Sequence, residues 1–267
     1  MNGKGHLAIV VAVIIASVLV AAPASWAQGR CSVASLKGSY GVLEQGVVVM
    51  NIGIPIPTPF PTANVALVTY DGAGNLSATY KASYGGMILS GTVQGTYTVD
   101  PDCTYYDSVP TVHLERKGTI VGEGMLQEIH SIYTVPWIVG GGTRWKTPVG
   151  ECSAANLKGA YSLFGQGAIA PPGGPTLLGR QVGLITYNGR GNFYGSETVN
   201  LAGAIENNTF TGTYTVGANC SASAEISSSS GLNLRAFGVI VGEGVRQAVH
   251  ILIAEPGWIF VSRIDRQ

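Results

Sequence analysis

The chain is built from two copies of one sequence pattern. The stretch "GTYTVDPDC", which ends at Cys103, returns as "GTYTVGANC", which ends at Cys220. Upstream, "CSVASLKGSYGVLEQG" from Cys31 is matched by "CSAANLKGAYSLFGQG" from Cys152. Each copy spans about 120 residues, which is too long for a solenoid repeat and long enough to bury its own core. We therefore predict two similar domains in series, at residues 28–139 and 152–267, with a linker at residues 140–151.

The local patterns within each copy are those of short β-strands. Only 11% of the residues are charged, and Gly, Thr, Val, Ser and Tyr alternate in many segments. Hairpin turns are indicated by "DGAGN" after Tyr70 and "NGRGN" after Tyr187, because Asp, Asn and Gly accept positive φ angles. Roughly seven or eight strands per copy predict an all-β fold of two tandem antiparallel β-barrels, whose closure removes exposed edges. Two β-sandwiches are the alternative.

The repeated segments also carry a resemblance. "LKGSYG", "DGAGN" and "GTYTVDPDC" resemble segments that uncharacterised secreted bacterial proteins use once or repeatedly, and the likeness covers essentially the whole chain after its N-terminal stretch. In shape, the units are similar to calycin-like barrels, namely lipocalins, allene oxide cyclases and dirigent proteins. This resemblance implies a barrel fold, whereas function has to be argued from the site itself.

The first 27 residues have the pattern of a signal peptide. An apolar run from Leu7 to Ala22 follows Lys4, and small residues at Ser25 and Ala27 provide a cleavage site. We therefore expect cleavage after Ala27 and a secreted or periplasmic protein. An uncleaved N-terminal anchor is the alternative, although the apolar run is short for a membrane-spanning helix.

Four cysteines remain after export, two in each copy, as is typical of disulfides formed in an oxidising compartment. We predict Cys31–Cys103 and Cys152–Cys220, which is one of three connectivities that four cysteines allow. Metal binding is the alternative, but the cysteines are far apart and neither a CxxC motif nor a His cluster accompanies them. We expect no metal and no cofactor.

The charge balance limits the partners that the chain can attract. The formal net charge is zero, so no basic field would draw in nucleic acid and no polybasic patch would bind anionic lipid. We expect no nucleic-acid partner, and membrane contact only through an uncleaved N-terminal segment. A small apolar ligand is the favoured partner, and the sequence does not indicate an oligomeric state.

Few ionisable residues occur in both copies, and these are the first candidates for chemistry. They are Lys37 and Lys158, Glu123 and Glu243, His130 and His250 and, in a looser alignment, Arg144 and Arg263. Treating "IVGEGMLQEIH" as one strand places Glu123 and Gln127 on its more apolar face, which we predict to point inward. The more apolar face of the first strand carries Gln45 beside Leu43. The predicted ligand-binding set is Glu123, Gln127, Gln45 and Tyr97, with their counterparts Glu243, Gln247, Gln166 and Tyr214.

The same residues have structural interpretations. Each Glu could cap backbone amides or pair with a basic residue at a barrel end, and His130 and His250 could serve packing or the surface. A β-bulge between Glu123 and His130 would reverse the assignment of faces. No sequence pattern identifies a catalytic residue.

Three functions remain open at this point. The first is a non-enzymatic secreted protein that binds a small apolar or amphipathic ligand in one or both barrels. The second is a structural or surface-interaction module with filled barrels and function in its loops. The third, by analogy with allene oxide cyclases, is a cyclase- or isomerase-like enzyme that would need Glu123 or Glu243 in a cavity.

Overall fold

The architecture matches the tandem-barrel prediction. The computed structural model describes residues 31–51, 53, 56, 58–171 and 174–267. These residues form two closed antiparallel β-barrels of eight strands each, so the predicted fold class is confirmed and the two-sandwich alternative is wrong. The predicted signal peptide at residues 1–27 lies outside the described residues.

Each barrel is an up-and-down array in which successive strands pair and the last strand pairs with the first. The first barrel comprises β1 (Lys37–Val48), β2 (Phe60–Asp71), β3 (Asn75–Tyr84), β4 (Met87–Val99), β5 (Thr104–Val109), β6 (Leu114–Val121), β7 (Glu128–Tyr133) and β8 (Ile138–Lys146). The second comprises β9 (Lys158–Ile169), β10 (Leu177–Asn188), β11 (Asn192–Leu201), β12 (Ala204–Val216), β13 (Ser221–Ser228), β14 (Asn233–Val241), β15 (Ala248–Ile253) and β16 (Trp258–Arg266). Pairing of β1 with β8 and of β9 with β16 closes the two barrels.

The connection between the barrels is shorter than predicted. The glycine-rich start of the predicted linker belongs to β8, which continues to Lys146. Its glycines are needed for close packing rather than for flexibility, since a Cβ on Gly142 would come within 2.0 Å of the Leu43 carbonyl oxygen on β1. The first barrel is therefore closed by a strand whose glycine-rich sequence resembles a linker.

One end of each barrel is closed by a short 3-10 segment held by a disulfide. Val33–Ser35 covers the first barrel, and Ala154–Asn156 covers the second. The predicted pairs Cys31–Cys103 and Cys152–Cys220 are confirmed, and each joins one of these segments to the turn after the fourth strand of its barrel. Helical structure in the described residues is limited to such short segments, and none is long or apolar enough to cross a membrane.

The two barrels pack through different outer faces. The first barrel contributes the outer face of β1 and β2, and the second contributes the outer face of β14, β15, β16 and β9. The apolar contact consists of Leu43, Ala63, Val65 and Leu67 on one side and Ala168, Val239, Val241, Ala248, Leu252, Ile259 and Val261 on the other. Gly41 permits the close approach, because a Cβ there would lie 2.4 Å from Val241 Cγ1.

Hydrogen bonds fix the relative position of the barrels. The amide of Gly242 donates to the Lys146 carbonyl at 2.8 Å, and the amide of Gly257 donates to the Gly86 carbonyl at 2.8 Å. The Ser83 hydroxyl donates to the Trp258 carbonyl at 2.6 Å. Because backbone groups of both barrels are satisfied by each other, separating the barrels would expose them together with the apolar contact.

A histidine is buried in this interface. His250 on β15 is completely inaccessible to solvent, its ring lies 6.0 Å from the Trp145 ring, and neither ring nitrogen has a hydrogen-bond partner among the described residues. Burial, assisted by the nearby charge of Arg263, lowers the pKa of His250 to about 3. The backbone of Gly41 raises this pKa, but the effect of burial is larger. His250 is therefore neutral in the packed protein.

This burial predicts an acid-sensitive interface. The pKa of His250 in the folded protein lies below its ordinary value of 6.5, so the unfolded chain binds the proton first as the pH falls. The contribution of His250 to the free energy of unfolding is therefore fully present above pH 6.5. It should fall by about 2 kcal/mol between pH 7 and pH 5. His250→Phe should remove that part of the pH dependence in urea unfolding. The exposed counterpart variant His130→Phe is the control, and equal pH dependence in the two variants would contradict the prediction.

Candidate functional site

The interior of the first barrel contains a buried network of four charged side chains. Glu44 on β1, Asp107 on β5, Arg116 on β6 and Arg144 on β8 all point inward, and Arg144 is completely inaccessible to solvent. Two carboxylates and two guanidinium groups make the set neutral as a whole. Buried charges are tolerated when they are paired in this way and hydrogen-bonded.

The distances show how closely the network is connected. Arg144 Nη2 lies 3.2 Å from both Glu44 Oε1 and Asp107 Oδ2, and its Nη1 donates to the Ser131 hydroxyl at 2.7 Å. Arg116 Nη1 donates to Asp107 Oδ2 at 2.7 Å, and its Nε lies 3.1 Å from Glu44 Oε1. Each guanidinium therefore bridges the same two carboxylates across the barrel.

Neutral side chains complete the network. Asn64 Nδ2 and the Tyr133 hydroxyl each donate to Glu44 Oε2 at 3.0 Å, and the Tyr105 hydroxyl donates to Asp107. Burial alone would raise the pKa of Glu44, but the two arginines and these two hydrogen bonds outweigh it and hold that pKa below its usual value. Glu44 is therefore an ionised structural carboxylate.

The second barrel has lost every charged member of this network. Strand register places Gly165 where the first barrel has Glu44, since Glu44 pairs with Asn64 and Gly165 pairs with Gln181. The same comparison gives Ala224 for Asp107, Ala236 for Arg116 and Ile264 for Arg144. Small or apolar residues thus replace four long or charged ones.

The consequence is a large cavity in the second barrel. Its volume is about 430 Å³, against about 200 Å³ for the cavity that remains in the first barrel. The larger value falls within the range of ordinary small-molecule sites. Its wall is mostly aliphatic and aromatic and includes Leu163, Ile185, Phe193, Val199, Phe210, Ile226, Leu234, Ile251, Ile253, Trp258 and Phe260.

A few polar groups interrupt this apolar wall. Gln181 Nε2 donates to the Ser262 hydroxyl at 2.9 Å, so these two side chains satisfy each other. Glu197 on β11 is half-buried, and among the described residues its carboxylate takes part in no hydrogen bond or ion pair. Burial raises the pKa of Glu197. A half-buried carboxylate without a partner is the main polar feature that a ligand would meet.

The carboxylates of the wall have no basic partner there. Glu206 is the second acidic residue of the lining, and it is exposed toward the open end. Glu197 pairs with Asn208, and Glu206 pairs with Val199, so the two carboxylates share one face on adjacent strands. Among the residues that the structure describes, the lining contains no Lys, Arg or His. The cavity therefore combines an apolar wall with negative charge.

The cavity opens at the end of the barrel opposite the disulfide. Ser228, Ser230 and Leu232, from the Ser-rich turn between β13 and β14, line this mouth with Leu201 and Ala204 from the turn between β11 and β12. The connection that contains the Ser-rich turn is three residues longer than its counterpart in the first barrel, since Asp107 aligns with Ala224 before it and Arg116 aligns with Ala236 after it. A variable turn at the mouth of a rigid barrel is well placed to tune access.

The predicted inward position of the two shared glutamates is wrong. Glu123 and Glu243 are both exposed, in turns that precede the 3-10 segments Gly124–Leu126 and Gly244–Arg246. The strand that we expected to run through them is interrupted, because Gly122 and Gly242 adopt positive φ angles. Glu243 Oε1 accepts a hydrogen bond from the Val149 amide at 2.7 Å, as the capping alternative expected.

Two of the glutamines predicted to bind ligand are buried, but each already accepts a hydrogen bond from a tyrosine. Gln127 accepts a hydrogen bond from the Tyr40 hydroxyl, and Gln247 accepts the matching bond from the Tyr161 hydroxyl at 2.7 Å. Neither residue lines the main cavity of its barrel. Their geometry is that of structural pairs.

The other two predicted glutamines point out of the barrels. Gln45 and Gln166 lie on the outer faces of β1 and β9 and hydrogen-bond to each other across the interface, with Gln45 Nε2 donating to the Gln166 carbonyl at 3.1 Å. The face of β1 that carries Leu43 was predicted to be inner because it is the more apolar. It is apolar because it packs against the second barrel, so that prediction is wrong.

Tyr97 and Tyr214, the two tyrosines of the predicted ligand-binding set, point inward toward the closed ends of their barrels. The Tyr97 hydroxyl donates to the carbonyls of Val33 at 2.9 Å and Leu36 at 2.8 Å. The Tyr214 hydroxyl makes the matching bonds to Ala154 at 3.0 Å and Leu157 at 2.9 Å. Each tyrosine therefore holds the 3-10 segment in place and lies away from the cavity.

The remaining residues that the sequence comparison paired between the copies lie in different environments. His130 is exposed whereas His250 is buried in the interface. Strand register aligns Arg144 with Ile264, so its pairing with Arg263 is wrong; Arg263 lies outside, with its guanidinium 3.7 Å from the centre of the Trp145 ring. In the described residues no three His, Cys, Asp or Glu side chains are grouped as metal ligands.

A wider groove of about 610 Å³ lies between the barrels, but it is open to solvent. Its charged residues are Lys81, Glu225 and Arg235, and Arg235 is already paired with Glu255 at 2.7 Å. The enclosed apolar cavity of the second barrel is the better candidate site, because enclosure rather than size determines how much ligand surface leaves water.

Comparison with known proteins adds no assignment. No protein-family model matches the chain, and no curated protein matches it significantly.

The stability of the first barrel should depend on its charge network. Arg144→Ile installs the residue of the second barrel but leaves two carboxylates with one arginine, and should cost about 3–5 kcal/mol of unfolding free energy at pH 7. Arg190→Ile, in an exposed turn, should change it by less than about 0.5 kcal/mol. Adding Asp107→Ala to Arg144→Ile should restore part of the loss in urea unfolding. Equal stability of the Arg144 and Arg190 variants would contradict the structural role.

Proposed function

We propose that the protein binds a small, largely apolar ligand in the second barrel and that the ligand carries one cationic amine that meets Glu197. The observation that carries this proposal is the enclosed apolar cavity of about 430 Å³ with a half-buried, unpartnered carboxylate in its wall. Eight-stranded barrels of this size either fill with side chains or hold one small ligand, as lipocalins do.

The apolar wall supplies the affinity. A ligand that leaves water to contact aliphatic and aromatic groups gains about 25 cal/mol for each Å² of apolar surface buried. The mouth is open while the opposite end is closed by the 3-10 segment and Cys152–Cys220, so a ligand would enter from the Ser-rich turn.

Glu197 determines which polar end is favoured. Its carboxylate is costly when ionised in this environment, and a bound ammonium would relieve that cost by supplying the missing charge partner. A carboxylate ligand would place a second negative charge beside Glu197 and Glu206 without a basic side chain in the lining to compensate. The site therefore favours an amine over an alcohol, and an alcohol over a fatty acid.

The first barrel has a different role in this proposal. Its interior is occupied by the charge network, and the cavity that remains is less than half as large. We infer that it serves as a rigid partner that supports β14, β15 and β16, which form one wall of the ligand-binding barrel.

A location outside the cytoplasm completes the proposal. The two disulfides suit an oxidising environment. The N-terminal pattern of an apolar run followed by small residues supports export to the periplasm or the medium. The cyclase- or isomerase-like alternative required Glu123 or Glu243 in a cavity, and both are exposed, so we propose binding rather than catalysis.

A bulky side chain in the cavity should block binding. Val199 points into the cavity from β11, and its neighbour Thr198 points outward. In a fluorescence titration with the neutral probe N-phenyl-1-naphthylamine, Val199→Trp should weaken binding by at least about tenfold. Thr198→Trp, on the same strand, should bind as the unmodified protein does. Absence of probe binding to the unmodified protein, or equal binding by both variants, would refute the proposed site.

The polar end can be tested with three matched ligands. Decylamine should displace the probe at a concentration at least about tenfold lower than decanol, since a hydrogen bond to a charged partner adds about 1.5–3 kcal/mol, and decanoate should be weakest. Glu197→Gln should abolish the advantage of the amine and leave decanol unchanged, whereas Glu206→Gln at the exposed mouth should have a smaller effect. The advantage should also shrink below the raised pKa of Glu197, where that carboxyl is protonated. Tightest binding of decanoate would sink the amine assignment while sparing the cavity.

A further inference from the structure

The contact between the barrels joins two unlike faces. The first barrel uses β1 and β2, with Val65 and Leu67 at the centre, and the second uses β14 to β16, with Val241, Leu252 and Ile259, together with the Ala168 end of β9. Because the barrels are repeats of one pattern, each also possesses the face that its neighbour uses. The interface is thus heterologous, and one copy of each face is left without a partner inside the chain.

The unused face on the second barrel is apolar and exposed. Strand register places Phe164, Val182 and Leu184 of β9 and β10 at the positions of Leu43, Val65 and Leu67. Val65 and Leu67 have exposed fractions of 0% and 8% in the interface, whereas Phe164, Val182 and Leu184 have 53%, 52% and 49%. Large apolar side chains that gather on one exposed face commonly mark an interaction site.

The unused face on the first barrel is apolar as well. Val121, Ile132 and Val139 of β6, β7 and β8 occupy the positions of Val241, Leu252 and Ile259. Their exposed fractions are 41%, 62% and 65%, whereas those of their counterparts in the interface are 0%, 0% and 1%. The chain therefore presents both halves of its own internal interface on its surface.

We propose that these two faces bind a second copy of the chain head to tail, so that the β9–β10 face of one copy meets the β6–β8 face of the next. The contact would repeat between chains the packing that joins the barrels within a chain. A heterologous contact of this kind produces a closed ring if its rotation closes, and an open filament if it does not.

Charged residues on the two faces agree with this pairing. Arg180 on the β9–β10 face replaces Ala63, and Glu128 on the β6–β8 face replaces Ala248; both alanines are fully buried in the internal interface. Arg180 and Glu128 therefore bring one pair of opposite charges to the two surfaces, and the β6–β8 face also carries the exposed Lys117 beside Ile132. Opposite charges across an interface favour the correct pairing and the rate of encounter.

The contact between chains should be weaker than the internal one. Ser162 stands at the position of Gly41, where a Cβ would come within 2.4 Å of the opposing valine side chain. The facing surfaces must then lie slightly farther apart than they do inside the chain. Association should therefore depend on protein concentration, because the covalent connection that holds the internal contact together is absent between chains.

Sedimentation velocity of the mature chain at increasing concentration tests the proposal directly. The expected result is association that Val182→Glu and Ile132→Glu each abolish, because either variant buries an unpaired charge in the contact. Ile205→Glu is the control, since Ile205 is also exposed and apolar but lies on neither face. This measurement requires no ligand, so it is independent of the proposed binding function.

Mixing the two variants distinguishes a head-to-tail contact from a symmetric one. Each variant keeps one intact face, so an equimolar mixture of Val182→Glu and Ile132→Glu should form a dimer and nothing larger. A chain that remains monomeric at every concentration would overturn the proposal. So would association that is insensitive to Ile132→Glu, because that outcome indicates a symmetric contact through the β9–β10 face alone.

Discussion

Closure of an eight-stranded barrel creates an interior that must be filled, and this constraint governs both halves of the molecule. The two repeats share strand register, a disulfide, a 3-10 closure and a tyrosine that anchors it. They differ in which side chains occupy the interior of the barrel. The first barrel holds two ion-paired arginines and two carboxylates beside a cavity of about 200 Å³, and the second leaves an apolar cavity of about 430 Å³.

The physics of buried charge explains why the two interiors differ so completely. Removing one member of a paired network leaves a charge without a partner, which costs several kcal/mol, whereas replacing all members by small or apolar groups can be nearly neutral. In the second barrel Gly165, Ala224, Ala236 and Ile264 replace the entire set. Intermediate compositions are costly, so a repeat of this type is stable either with its network or without it, and the state without it has room for a ligand.

The sequence predicted the architecture because the repeat, the turn signals and the cysteines are local or paired features. It did not predict the site. One reason is that Gly122 and Gly242 interrupt a strand that periodicity presents as continuous, which leaves Glu123 and Glu243 in exposed turns. Another is that the apolar face of β1 packs against the other barrel rather than inward.

A third reason lies in the comparison of the copies. Restricting candidates to residues that both copies share discarded Glu44, Asp107, Arg116 and Glu197, which are the residues that distinguish the interiors.

The most direct measurement is methyl NMR of the isoleucine-labelled protein during titration with decylamine. The account predicts shifts at Ile185, Ile226 and Ile251, which line the cavity of the second barrel, and none at Ile120 and Ile129 in the first. Shifts in the first barrel, or in neither, would contradict it.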